Sequence, residues 1–298
     1  MSATPAILFF HTGQFPRYLR RTMESARYFN PDARIILISD QQPDLGWIRG
    51  EVVLVSSLSH RLLPEFHRRY QHISGLKVKA EKLFLERWFH LDCLLEQEAL
   101  SEAIYLDSDC ALFASGRELF DLAPAGSPVC SKCGGPAVTF LRQRIEGFLE
   151  FILERYLDEP FLNEWRQRSN AAIARGGLDN LGDMVFLELY AARGRGGAIY
   201  PNDTPLGHID HCINIADGMR IRRRRKGRVR KLIFWEIEGD TLVPYFETES
   251  GKRVRALAIH FQDRAKQLLG RFNPVSSSSA WPLTWRQAWF NRHQFWVS

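Results

Sequence analysis

No stretch of this 298-residue sequence holds the roughly 20 consecutive apolar residues that a membrane-spanning helix requires. The opening residues, Met1 to Phe10, have no basic segment and no small-residue cleavage site, so no secretory leader is read there. Cysteine is scarce. Its five residues are an odd number without framework spacing, which excludes a disulfide-stapled fold and fits a reducing cytosol. Cys130 and Cys133 form one Cys-x-x-Cys pair, but no second pair or neighbouring histidine completes a zinc set. Acidic residues are in deficit, 34 against 40 Lys and Arg, and the net charge of +6 favours anionic partners: phosphates, acidic lipid headgroups or nucleic acid. Apolar residues, at 45%, suffice for the core of one large or two modest domains.

Ala6 to Phe10 reads as a buried strand, followed by the polar loop His11-Thr12-Gly13-Gln14. Pro16 suits a helix start, and Leu19, Met23, Ala26 and Phe29 recur at helical spacing until Asn30-Pro31-Asp32 stops them. Arg34 to Ser39 is a second strand ending at Asp40, and Val52 to Val55 a third. Such alternation predicts a parallel sheet covered by helices. Ligands bind such sheets outside the carboxyl ends of the strands, which makes His11, Thr12 and Asp40 candidates for contacting a nucleotide. Lys77, Lys79 and Lys82 open a long helix that carries Leu83, Trp88, Leu91, Leu94 and Leu95 and ends near Glu98. Lysines at a helix start oppose the macrodipole, so Lys77 and Lys82 are candidates for phosphate contact; a solvated face is the alternative.

The next strand, Ile104-Tyr105-Leu106-Asp107-Ser108-Asp109-Cys110, carries two carboxylates out of an apolar run. In a strand, residues i and i+2 point to the same side, so Asp107 and Asp109 converge. Two like charges that close require a cation or a proton, and Mg2+ or Mn2+ shared with phosphate oxygens satisfies them. A strand running into a solvated acidic turn is the plain alternative.

Further on, Gly134 and Gly135 read as a turn or a close backbone approach. Leu141, Ile145, Phe148, Leu149, Ile152 and Tyr156 predict one amphipathic helix, broken by Pro160. In Gly176-Gly177-Leu178-Asp179-Asn180-Leu181-Gly182-Asp183, Asp183 stands where a helix begins, as an N-cap or a site carboxylate. His208, Asp210 and His211 lie close enough in sequence to share a metal, without a recognisable ligand spacing. Arg220 to Lys231 is the densest charge run, a hairpin turning at Gly227 that reads as solvated or as attracted to an anionic membrane or charged glycan. Nucleic acid is not expected, because no aromatic residue is interleaved in the run. Arg255 to Gln262 is a strand ending at His260, with Lys266 six residues on. Ser276–Ser279 reads as a linker, and Trp281, Trp285 and Trp289 as one aromatic helix face that packs on the core or meets a membrane interface.

Taken together, Tyr105-Leu106-Asp107-Ser108-Asp109, Gly177-Leu178-Asp179-Asn180 with Asp183-Met184, and Ile259-His260-Phe261-Gln262 with Lys266 resemble the GT-A-fold, nucleotide-sugar-dependent glycosyltransferases, and in particular bacterial enzymes of surface-polysaccharide and lipopolysaccharide assembly. The resemblance spans roughly Ile7 to Lys266. It implies an α/β fold with a Rossmann-like, mostly parallel central sheet. It divides the chain into a glycosyltransferase domain, 1–275, with a nucleotide-binding half (1–113) and an acceptor half (114–275), and a Ser-linked aromatic-basic tail, 276–298. It implies Mn2+ or Mg2+ held by Asp107, Asp109 and His260. A nucleoside-diphosphate sugar, UDP-linked as the first expectation, would contact Asp107, Ser108 and Lys266. Asp183 and Asp179 would face the reacting sugar, and the acceptor would be a glycan or a lipid-linked glycan. One departure stands out: where such families place a glycine after the His-Phe pair, this chain has Gln262-Asp263. The expected location is the cytoplasm, with peripheral contact to an anionic membrane through Arg220–Lys231 and the Trp281–Trp289 tail. Two other classes fit parts of the pattern. A haloacid-dehalogenase-like phosphatase would use Asp107 as nucleophile, although its motif belongs on a first strand. A non-catalytic basic binding module would leave the carboxylates and His260 unexplained.

Overall fold

The computed structural model describes residues 4–177, 179–194, 196–223, 228–269, 287, 288 and 291. The early apolar runs become strands buried on both faces. In β1 (Ala6–His11), Ala6, Leu8 and Phe10 face one core while Ile7 and Phe9 face another. β2 (Ile35–Ser39) and β4 (Glu102–Leu106) divide their side chains in the same way. Continuous rather than alternating hydrophobicity is what a parallel strand covered on both sides demands. With β3 (Glu51–Leu54), β6 (Val129–Ser131), β7 (Val138–Arg142) and β8 (Ala198–Tyr200) they form a seven-stranded sheet in the order β3-β2-β1-β4-β7-β6-β8. β3, β2, β1 and β4 are mutually parallel, β7 is antiparallel to both β4 and β6, and β8 is parallel to β6. This is the mixed, mostly parallel α/β class expected from the sequence.

Helices cover both faces. α3 (Val78–Gln97), α5 (Glu146–Arg155) and α7 (Asp183–Ala192) pack on the first core, and α1 (Arg17–Phe29) and α4 (Gly116–Leu122) on the second. The short α2 (Leu63–Arg69) adds Phe66 to the first core. Two expectations change here. Leu141 belongs to β7, so the stretch read as one helix is a strand followed by α5. Pro160 does not end a helix but sits in the first turn of a new one, α6 (Glu159–Ala174), where its missing N–H costs nothing and Asp158 caps the amide of Phe161 at 3.2 Å. Gly134 (φ +65°) lies against the backbone of Met184 so closely that no Cβ fits, which sets the start of α7 against the 132–134 turn.

A second sheet runs β13-β14-β15-β10-β9, built from Phe234–Glu238, Thr241–Glu247, Arg253–His260, Gly207–Asp210 and Asp203–Thr204. β5 (Cys110–Leu112), which directly follows the aspartate pair, joins it by pairing antiparallel with the end of β15. The basic run forms the hairpin of β11 (Ile221–Arg223) and β12 (Val229–Lys231). After β15 comes the short α8 (Lys266–Leu269). Trp281, Trp285, Trp289, Ser276–Ser279 and the hairpin tip 224–227 lie outside the described residues. Of the tail, Gln287 and Asn291 are seen bonding the backbone of Trp235 in β13, where the Asn291 amide takes the Trp235 N–H at 2.7 Å and donates to its carbonyl at 3.0 Å.

Candidate active site

The strands β1, β2 and β4 all end on one edge of the main sheet, and the aspartate pair stands there. β4 stops at Leu106, so Asp107–Asp109 is a turn rather than the strand expected from the sequence. The Cys110 amide closes it on the Asp107 carbonyl at 2.8 Å, and the Asp107 amide is anchored on the Ala137 carbonyl at 3.0 Å. The two carboxylates still converge, but the turn brings them together, not the pleat.

His260 arrives from β15, whose pairing with β5 sets His260 opposite Cys110. Its Nε2 lies 3.1 Å from Asp109 Oδ1 and 4.0 Å from Asp107 Oδ2. Lys266, on the other side, reaches Asp109 Oδ2 at 3.0 Å and lies over the Tyr18 ring. One ligand atom from each of Asp107, Asp109 and His260 falls within 4.8 Å of the others. Burial works against charge on His260, but the Asp109 hydrogen bond and charge, the charge of Asp107 and the His211 carbonyl outweigh it and raise its pKa to about 9. Burial likewise opposes ionisation of Asp109, yet His260 and Lys266 hold its pKa below the usual carboxylate range. Asp109 is therefore held as a carboxylate between an imidazolium and an ammonium.

Sequence reading missed Arg87, a buried arginine on α3. It donates to Asp107 Oδ1 at 2.8 Å and to Tyr105 Oη at 2.9 Å, and pairs with Asp183 Oδ2. Tyr105 also donates to Asp107 Oδ1, at 2.9 Å. The signal was present: Leu83, Arg87 and Leu91 follow one another at i+4, so the arginine interrupts an apolar stripe. Asp107 is thus pinned through one oxygen while the other faces His260.

Asp183 is brought to this site but is held there. Besides Arg87, its Oδ2 accepts Trp88 Nε1–H at 3.2 Å, and its Oδ1 accepts the Met184 amide at 2.9 Å. Asp179 stands apart, bonded to Arg168 at 3.3 Å. His11 and Asp40 lie at the same sheet edge. Asp40 takes the Gly13 amide at 2.8 Å, and His11 Nε2 meets the Gln14 carbonyl at 3.1 Å. Burial lowers the His11 pKa, and the Lys266 charge adds to that, which places His11 within the field of the site. Thr12 shares their loop, and the Ser108 carbonyl accepts the Thr22 hydroxyl at 3.0 Å. Lys77 caps α3 at its exposed start. Lys82 pairs with Glu86 at 3.5 Å, about 140° around the helix from Arg87 at roughly 100° per residue, and so faces away from the aspartates. Asp263 has φ +54°, the left-handed region that a glycine enters freely and an aspartate tolerates.

The second acidic group has a different solution. Lys231, read from the sequence as part of an exposed basic surface, is fully buried. It pairs with Asp210 Oδ1 and, at 2.9 Å, with Asp217 Oδ2. His208 Nε2 is 3.9 Å from Asp210 Oδ1, and its Nδ1 is 2.7 Å from Asp203. His211 Nδ1 meets the Asn202 amide at 2.6 Å. Where the sequence left open a metal shared by His208, Asp210 and His211, the chain's own Lys231 pairs with Asp210. Burial pushes the Cys130 thiol up to about 12.

No protein-family model matches the sequence, and no curated protein matches it. Among solved structures, the chain is similar to the apo form of the glycosyltransferase GlyE of Streptococcus pneumoniae, at 16% identity and TM-score 0.40, over 67% of this chain and 46% of that one. It is similar to mouse xyloside xylosyltransferase 1 at 14% identity and TM-score 0.39, over 67% and 85% of the two chains. A glycosyltransferase involved in glycosylation of the PBCV-1 major capsid gives 11% identity and TM-score 0.38 over 67% and 85%. The chain spans about half the length of the GlyE chains it matches. Overlaps this partial leave function to the site's own geometry.

Proposed function

We propose that the protein is a metal-dependent glycosyltransferase that moves a sugar from a nucleoside-diphosphate donor, UDP-linked by first expectation, to a glycan or lipid-linked acceptor. The observation that carries this reading is the convergence of Asp107, Asp109 and His260 at the carboxyl edge of the parallel strands. The donor set suits Mn2+ or Mg2+: two carboxylate oxygens and one imidazole nitrogen, with His260 Nδ1 on the His211 carbonyl at 2.7 Å so that Nε2 is left for a ligand. A bound divalent cation would offset the negative charge that develops on the departing diphosphate. Lys266, freed from Asp109 when a metal takes over that carboxylate, would turn its ammonium to the same diphosphate. His11, Thr12, Asp40 and Ser108 line the edge where the nucleoside would lie. Asp183 accepts from Arg87, Trp88 and Met184, which suits a fixed positioning group for the sugar better than a base.

The test is calorimetric titration of UDP and GDP, with Mn2+, into the wild type and Asp109→Ala. Binding that requires Mn2+ and is lost by at least about 100-fold in the variant is expected, consistent with removal of a ligand. Failure of every nucleoside diphosphate to bind in a metal-dependent way overturns the reading. A panel of nucleotide sugars assayed for hydrolysis then identifies the donor. Peripheral contact with an anionic surface belongs to the same proposal and is supported by Arg222 and Arg230 standing directly opposite one another in the β11–β12 hairpin. Among the described residues no helix is long and apolar enough to cross a membrane.

A further inference from the structure

Lys231 touches neither the aspartate pair nor His260, yet its contacts end there. Its Nζ bonds the Asp210 carboxylate and, at 3.3 Å, the Cys212 carbonyl. It therefore grips the chain on both sides of His211. Between those two anchors, the His211 carbonyl accepts His260 Nδ1–H at 2.7 Å. The other oxygen of Asp210 faces the His260 backbone amide at 3.3 Å. The backbone closes the same frame, because the Lys231 amide bonds the Ile213 carbonyl at 2.9 Å and the Ile213 amide bonds the His260 carbonyl at 3.2 Å. A fully buried ammonium is a costly way to fill space, since well-packed hydrophobic residues of similar volume often serve as well or better. What a hydrophobic residue cannot do is hold a carboxylate and a carbonyl at fixed positions two residues apart.

We infer, on the metal-site reading proposed above, that Lys231 is a positioning residue for His260: it clamps the 210–212 turn so that the His211 carbonyl fixes the imidazole with Nε2 toward Asp107 and Asp109. Partners of this kind, one bond behind a metal ligand, change metal affinity by about 10–100-fold when removed. Asp217 is the milder comparison: it bonds Lys231 at 2.9 Å and stands 3.6 Å from His211 Nδ1, a contact with the ring and not with the His211 carbonyl that holds His260.

The experiment measures Mn2+ affinity of the full chain by electron paramagnetic resonance, without nucleotide. The proteins are the wild type, Asp109→Ala, Asp217→Asn, Lys231→Met and the charge-balanced double variant Lys231→Met/Asp210→Asn. The last keeps an amide oxygen for the His260 N–H and leaves no unpaired charge on the turn. The expected result is a loss of about tenfold in both Lys231 variants and a change within about twofold in Asp217→Asn. If Lys231→Met does not fold, the double variant decides. Amide exchange in the wild type needs no variant: Mn2+ should slow exchange across 209–213 as well as 258–262. Affinity unchanged in a folded Lys231 variant, equal losses in Lys231→Met and Asp217→Asn, or no slowing across 209–213 each overturn the positioning role while leaving the metal site intact. A wild type that binds no Mn2+, or an Asp109→Ala that binds it equally well, overturns the metal-site reading instead.

Discussion

Among the described residues, two groups of two aspartates and a histidine each place one ligand atom per residue inside a 4.8 Å span, and their charges are balanced differently. At Asp210–Asp217–His208 the countercharge is Lys231, with a side chain 0% exposed. At Asp107–Asp109–His260 the buried Arg87 holds one oxygen of Asp107, while Asp109 is held by Lys266, 35% exposed, and by an imidazole that loses its proton more readily than an ammonium. Lys231 is sealed in and permanent. Lys266 can turn to solvent or, on the proposed reading, to a bound phosphate, which would leave Asp109 and the second oxygen of Asp107 to another cation. Acidic clusters are common in folded proteins; the tether of the neutralising group separates a structural cluster from a receptive one.

The sharpest way to break this comparison is to remove each lysine. Lys231→Met leaves buried carboxylate uncompensated and is expected to cost about 3–5 kcal/mol of stability, read by urea denaturation. Lys266→Met breaks a partly exposed pair, so its stability cost is about 0–1 kcal/mol, while nucleotide affinity falls by about tenfold in the calorimetric titration. Equal stability costs would erase the distinction.

Titration sharpens it next. With its pKa raised from 6.5 to about 9, His260 binds its proton more tightly in the folded state. Its contribution to metal-free stability is complete below 6.5 and is lost as pH rises through 9. Asp109 has the opposite sign, contributing above the ordinary value of 3.8 and losing that contribution as pH falls through its lowered pKa. Melting temperatures in EDTA should therefore fall between pH 6.5 and 9. Mn2+, which needs neutral imidazole, should gain affinity over the same interval.

Two smaller effects follow. Asp263→Gly relaxes a left-handed residue and removes an acid beside the proposed diphosphate; a gain of about 1 kcal/mol in stability and a modest rise in nucleotide affinity are expected. Replacing Arg222, Arg223 and Arg228 with serine should reduce sedimentation with anionic vesicles at low salt by a few-fold, and no reduction counts against the hairpin as the contact.

β1 and β2 were legible because parallel strands covered on both faces read as unbroken apolar runs, and α1 and α3 because their apolar residues recur at helical spacing, whereas the short α2 was not read at all. What sequence could not show was direction. Leu141 stood in phase with the helix that follows it, although it belongs to β7. Lys231 shares the hairpin's basic composition, but strand alternation puts it on the face of Val229 and Ile233, turned inward. Arg87 is hidden inside a helix whose charges looked like solvent-facing ones. The aspartate pair and His260 were found because their residue types are chemically conspicuous, whereas the partners that aim them are ordinary residues in ordinary places.

Asp109 and His260 are 151 residues apart in the chain, and β5 and β15 hold them together. Closing a loop of that length costs about 4.4 kcal/mol in chain entropy, by (3/2)RT ln n. The proposed cation site thus cannot form in any partially folded state that lacks β15. On the proposed metal site, a ribosome-bound chain would acquire affinity for Mn2+ only after β15 had emerged and docked, so metal uptake would report the docking of β15.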